Sequence, residues 1–186
     1  EFINLAGYKF VALDGLDDLK ALLDRRCHEL ELKGTILLSF EGINVVLAGS
    51  EEATKSFEAS IHADARLADL RFKRSESAFQ PFDRMRVRIK KEIITLRMPG
   101  VDPAKQRAPA VAPAELKRWL DEGRDIVLLD TRNAFEVDAG TFDKAMDLRL
   151  SSFGQFAQAV DRLDPALKGK TIVAFCTGGI RCEKAA

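Results

Sequence analysis

The chain has 186 residues, 46% hydrophobic and 31% charged, with 29 Lys/Arg against 29 Asp/Glu and no net charge. That is the composition of a globular protein with one large or two small domains. It holds no run of about 18 apolar residues for a membrane-spanning helix, and no basic-then-apolar leader in Glu1-Phe2-Ile3-Asn4-Leu5. Three scattered cysteines make no disulfide framework, so a reducing cytoplasm is the expected compartment.

Charge is uneven along the chain. Residues 1–70 hold 7 Lys/Arg against 13 Asp/Glu, a net of −6; residues 71–107 hold 11 against 4, a net of +7. A basic band in a neutral protein is where a polyanion would be met.

Tyr8–Leu13 reads as a strand. Asp14 or Asp17 caps a helix running to about Glu31, with Leu19, Leu22, Leu23 and Leu30 on one face. Strands follow at Thr35–Phe40 and Ile43–Ala48, separated by the Glu41-Gly42 turn. Ser50 starts a helix through about His62, and Leu70–Arg74 is the fourth strand. This β-α-β-β-α-β order is the ferredoxin-like (acylphosphatase-like) α+β arrangement. A loop with Phe79 and Phe82 leads to a long basic strand, Met85–Leu96. Period two there puts Arg86, Arg88 and Lys90 on one solvent-facing side. They are either a solvated or guarded edge, or a phosphate-contacting stripe with Phe79 or Phe82 offering a stacking surface.

The expected domains are 1–97, a turn-rich linker at 98–112 with Pro99-Gly100, Pro103 and Pro109, and 113–186. In the last, a helix begins at Pro113 and is expected to bury Trp119 in the core. Asp125–Asp130 is a buried strand, Ser152–Leu163 a helix, and Thr171–Phe175 another strand. Alternating helices and short apolar strands imply a parallel α/β sheet, with its chemistry at the carboxyl ends of the strands.

The sharpest motif is Cys176-Thr177-Gly178-Gly179-Ile180-Arg181, between that strand and a helix start. Converging N–H groups on such a turn stabilise a thiolate and depress its pKa, and the two glycines permit positive φ. Cys176 is therefore the expected nucleophile. Four residues between Cys176 and Arg181 resemble the rhodanese loop, which fits a persulfide, rather than the longer phosphatase loop. Cys182, about one helical turn on, either resolves an oxidised Cys176 or packs beneath the loop. Arg181 stands beside the thiolate or caps the loop through carbonyls. Asp130 and Arg132 are expected to hold the loops together by an ion pair with Glu136, in preference to touching substrate. Lys184 reads as a surface residue, Cys27 as core beside a surface His28, and His62 as a helix C-terminal residue. The cysteine spacing does not suggest zinc, and no metal is expected.

Asp130-Thr131-Arg132-Asn133, Phe135-Glu136, Gly140-Thr141-Phe142 and the run Phe175 to Lys184 together resemble the rhodanese-domain tRNA uridine hydroxylase family. Glu41-Gly42-Ile43-Asn44, Pro81-Phe82, the strand Val87–Leu96 and Pro99-Gly100-Val101-Asp102-Pro103 resemble that family's N-terminal domain. The resemblance implies an N-terminal RNA-binding domain followed by a rhodanese-like domain, here C-terminally incomplete, so that the chain is expected to be a fragment. It implies oxygen-dependent 5-hydroxylation of the wobble uridine of tRNA, with molecular oxygen as co-substrate and no other cofactor expected. Cys176 corresponds to the family's catalytic cysteine and Cys182 to its second cysteine. A plain sulfurtransferase carrying a persulfide, and a non-enzymatic binding or redox-sensing module, are the competing readings. The sequence leaves the oligomeric state open.

Overall fold

The computed structural model describes all 186 residues, which form two compact units, Glu1–Ile93 and Ile94–Ala186. The first contains β1 (Phe2–Phe10), α1 (Leu16–Glu29), β2 (Lys33–Ser39), β3 (Gly42–Gly49), α2 (Glu51–His62), β4 (Lys73–Ser77) and β5 (Met85–Ile89). Its sheet runs β4-β1-β3-β2-β5; the first four strands pair antiparallel, and β5 lies parallel to β2 at the edge. Alternation along the strands sends Leu5, Ile36, Leu38, Ile43, Val45 and Leu47 to one face, all fully buried under the two helices with Leu19, Leu23, Cys27, Phe57 and Ile61. Gly42 sits at φ 147, where a Cβ would lie 2.0 Å from the Lys9 carbonyl oxygen, so strand 3 can leave its turn against β1 only with glycine there.

Several boundaries differ from the sequence expectation, each for a local reason. Gly15, in the left-handed region, precedes α1, and neither aspartate caps it; Asp14 instead accepts a 2.6 Å bond from Arg66. The fourth strand starts at Lys73 and not Leu70, because Leu67 and Leu70 are buried in the turn and the Leu70 carbonyl is bonded to His62 Nε2 at 2.8 Å. The basic strand ends at Ile89 and not Leu96. Beyond it side chains replace the ladder: Ser39 Oγ donates to Lys91 O (3.2 Å), Glu41 Oε1 accepts from Ile93 N–H (2.7 Å), and Asn44 Nδ2 donates to Ile93 O (3.3 Å). The Glu-Gly-Ile-Asn turn is thus a clamp on both backbone groups of Ile93.

The second unit contains α3 (Pro113–Asp121), β6 (Ile126–Asp130), α4 (Ala134–Asp138), β7 (Met146–Asp147), α5 (Phe156–Val160), β8 (Thr171–Phe175) and α6 (Ile180–Ala185). Its sheet is parallel, in the order β7-β6-β8. Leu96, Leu129, Leu150, Phe153 and Phe156 form its core. Leu96, expected in the first domain, therefore packs in the second unit. The helix expected over 152–163 is broken into a 3-10 turn, Phe153–Gln155, and the five-residue α5. Here the Gln155 side chain accepts both the backbone N–H and the hydroxyl of Ser151, at 3.0 Å each. Trp119 is only half-buried, its Nε1 donating to Glu115 at 2.6 Å, and α3 has no buried residue. No helix is long and apolar enough to cross a membrane.

Candidate active site

The site grows from the carboxyl ends of two neighbouring parallel strands, β6 and β8. β8 delivers Cys176 to a turn of Thr177, Gly178 and Gly179 that enters α6. Only Gly179 takes a positive φ, 98; Gly178 does not, and a Cβ added there would meet no atom within 4 Å. The turn folds back so that Gly179 N–H points at Cys176 Sγ, 3.0 Å away.

Cys176 is held as a thiolate near neutral pH. Its pKa falls to about 5, first through the hydrogen bond from the Cys182 thiol, then through the backbone N–H groups of Cys182, Gly179 and Arg181, which together outweigh its burial. Cys182 moves the other way: donating to Cys176, burial and the thiolate's charge all raise it. Thr131 Oγ1 lies 3.8 Å from Cys182 Sγ and donates to Phe175 O at 3.0 Å, tying the second thiol to the end of β8.

Arg181 is fixed by Glu136. Its two terminal nitrogens meet the carboxylate at 2.6 and 2.8 Å, and Thr177 Oγ1 donates to the same carboxylate at 2.7 Å. The Arg181 bond, foremost, then Thr177 and the Asn133 backbone N–H, hold Glu136 down to about 2 against burial. The Arg181 pKa is raised foremost by Glu136 and also by the charge of Cys176, so the cation that braces the loop also answers the thiolate.

The expected pairing of Asp130 and Arg132 with Glu136 is not what forms. Asp130, fully buried, is gripped by Arg132 Nε and Nη2 at 2.9 and 2.7 Å and by Thr141 Oγ1 at 2.8 Å, while Arg132 also donates to Gly140 O at 2.7 Å. Burial opposes the Asp130 charge, and these bonds more than compensate, lowering its pKa. The reason is local: Arg132 N–H and side chain both fold onto the carboxylate two residues back. Glu136 is left for Arg181. Phe142 packs edge-on against Phe175 at 4.9 Å, beside the start of the loop.

Lys184 is buried, contrary to expectation, and donates to Ile94 O at 3.0 Å. Cys27 is a core thiol pushed up to about 12 by burial, then by Asp24; His28 is exposed. No three His, Cys, Asp or Glu side chains converge. A cleft of about 450 Å³ adjoins the loop, sharing Ile180 and Arg181 with it and lined further by Thr95, Arg97, Asn133 and Ser152. Arg86 and Arg88 alternate with the buried Val87 on β5, and Lys90 lies one residue past its end; they belong to the first unit and the cysteine loop to the second.

Residues 2–93 match a family model described as the UPF0176 acylphosphatase-like domain. A tRNA uridine(34) hydroxylase of Cupriavidus metallidurans is 53% identical, over 100% of this chain and 68% of the relative. That of Cupriavidus taiwanensis is 54% identical over the same shares, and that of Bordetella petrii 54% over 99% of this chain and 75% of the relative. Among solved structures, the BlrP1 BLUF protein is similar at 27% identity and TM-score 0.41, covering 47% of this chain and 63% of that one. BlrB, a BLUF protein in its dark state, is similar at 23% identity and TM-score 0.44, over 66% and 97%. Likenesses that low carry no argument about this chain.

Proposed function

The chain belongs to the tRNA uridine(34) hydroxylase family, and we propose that it hydroxylates the wobble uridine of tRNA at carbon 5, with the Cys176 loop as reactive centre. The observation that carries the site assignment is the Cys176 sulfur itself. Gly179 N–H points at it from 3.0 Å, and its pKa is drawn down to about 5 chiefly by Cys182, then by backbone N–H groups, the setting of a reactive thiolate. The parallel sheet with a strand–cysteine-turn–helix unit supports reading residues 113–186 as rhodanese-like.

The electron balance gives the second thiol a task. Inserting one oxygen atom of O2 into the C5–H bond leaves the other atom to depart as water, which consumes two electrons and two protons. The Cys176 thiolate and the Cys182 thiol closing to a disulfide release two electrons and one proton, and the solvent supplies the second proton, so uridine, O2, the thiolate–thiol pair and one proton balance to 5-hydroxyuridine, water and the disulfide. In this scheme Cys176 is the catalytic thiol and Cys182 its partner in electron supply. Arg181, held by Glu136, lines the cleft, where the cation offers hydrogen bonds to an entering base or its phosphate. Cleft volume is within the range of small-ligand sites. Asp130 and Arg132 are positioning residues for the loops.

tRNA is the partner, and the basic residues Arg86, Arg88 and Lys90 supply phosphate contacts. A protein working on tRNA belongs in the cytoplasm. The reading is tested by tRNA nucleoside analysis of strains carrying wild type or Cys176→Ser. Restoration of 5-hydroxyuridine-derived nucleosides by wild type alone is expected.

A further inference from the structure

The sheet of the first unit has a second face, and strand register shows what stands on it. Helices cover the side carrying Leu5, Ile36, Val45 and Leu47. On the other side Tyr8 pairs with Asn44, Asn44 with Leu37, and Leu37 with Arg88, making one row across four strands. The next row runs Lys73, Ala6, Val46, Thr35, Arg86. Ala6, Val46, Lys73 and Arg88 in these rows are exposed, Val46 at 41%. Lys33, one step further along β2 from Thr35, adds a fourth cation and is itself exposed. The acidic residue of β4, Glu76, pairs with Ile3 and so falls in the opposite alternation. The strands thus set cations on the β4 and β5 edges of this face, Tyr8 at the β1 end of its row, and Ala6 and Val46 exposed between, with no carboxylate among them; Asn44, next to Tyr8, is bonded to the Ile93 carbonyl.

We propose that this sheet face, exposed at Ala6 and Val46, is a single-stranded RNA platform, on which an unpaired base of the tRNA anticodon loop stacks beside Tyr8 and Val46 while Arg86, Arg88 and Lys73 hold the flanking phosphates. This deepens the tRNA reading and rests on it. The chemistry is general: a π-face takes any base, a cationic rim follows the backbone, and a flat sheet presents both without closing around a duplex. The ring lies on β1 and most of the cations on the edge strands β4 and β5, so a splayed loop can lie across the strands with phosphates outward. The face differs from the loop aromatics expected from sequence: Phe79 and Phe82 lie outside the strands, whereas Tyr8 is half-buried and edge-packed on Phe10 at 6.0 Å, a ring already ordered.

The test is fluorescence anisotropy of a labelled anticodon stem-loop RNA with a wobble uridine, titrated with the whole chain over a range of salt. Tyr8→Ala and, separately, Val46→Asp are expected to weaken binding, Tyr8→Ala by about five- to a hundred-fold with an unchanged salt slope. Tyr8→Phe is expected to bind as wild type, which also separates stacking from misfolding. Arg86→Glu with Arg88→Glu is expected to weaken binding and flatten the slope by about 0.7 for each phosphate of a single strand that is no longer neutralised. A wild-type affinity for Tyr8→Ala and Val46→Asp, or equal affinity for the stem-loop and a loop-free duplex, would overturn the platform. Hydroxylation measured on the same tRNA separates the two ideas: binding that follows the platform pattern with no hydroxylation contradicts the enzyme reading and leaves the surface standing.

Discussion

Glu136, on the helix after β6, grips Arg181 of the cysteine loop through two hydrogen bonds of 2.6 and 2.8 Å, joining two segments 45 residues apart. Both side chains are largely withdrawn from water, at 18% and 11% exposure, so removing one partner strands the other. Glu136→Ala is expected to cost about 3 kcal/mol, the lower end for breaking a buried pair. The chain's one tryptophan, Trp119, lies in the same unit and reports its urea unfolding.

The same pair has a signed pH dependence. The Glu136 pKa is depressed from 4.5 to about 2, so the unfolded chain binds more protons between those values. The stabilisation is complete above about pH 4.5 and is lost as pH falls toward 2. Unfolding free energies of wild type and Glu136→Gln, measured from pH 7 downward, are expected to converge over that window. A gap that stays constant to pH 2.5 contradicts the assignment.

Cys182→Ala removes the largest influence holding the Cys176 pKa near 5. The Cys176 pKa is expected to rise, and alkylation by iodoacetamide at pH 6, fast in wild type, is expected to slow. A depressed thiol also stabilises the fold above its unfolded pKa, and that contribution disappears as pH falls through about 5. Cys182, shifted upward, opposes this only in alkaline solution. An unchanged alkylation profile in the variant would remove Cys182 from the site.

Much of this was legible in the sequence, and the limits are physical. Period-two alternation found the core strands, because burial on one face repeats every second residue whatever the partner strand. The cysteine turn stood out because strand, glycine pair and helix start are all local signals. Partner choice was not legible. Arg132 had two carboxylates within four residues, Asp130 and Glu136, and only the folded loop decides that it takes the first and leaves the second to Arg181. Lys184 looked solvated because nothing local announces a carbonyl 90 residues away at Ile94. Strand register, which creates the Tyr8–Asn44–Leu37–Arg88 row, is likewise a property of pairing and not of any one segment.

Asn44→Ala would release the Ile93 carbonyl while leaving Glu41 on its N–H. The expected loss is about 1 kcal/mol for one hydrogen bond. Hydrogen exchange should show residues 91–93 opening more readily while β2 and β3 stay protected. Uniform loss of protection across the sheet would mean that the clamp holds the whole unit.

Replacing Arg86, Arg88 and Lys90 together with Glu is expected to weaken tRNA binding most at low salt. The slope of log K against log salt is expected to fall by about 0.7 to 0.9 for each phosphate that the protein no longer neutralises. Equal affinity at low salt would show that these cations face no phosphate.

Cys176 as the reactive centre of a tRNA uridine hydroxylase is tested by deleting the gene in its host. The gene is then restored as wild type or Cys176→Ser, and tRNA nucleosides are read by mass spectrometry. The 5-hydroxyuridine-derived wobble nucleosides are expected to return with wild type and to stay absent with Cys176→Ser, with both proteins present in equal amount. Full restoration by Cys176→Ser would contradict the assignment.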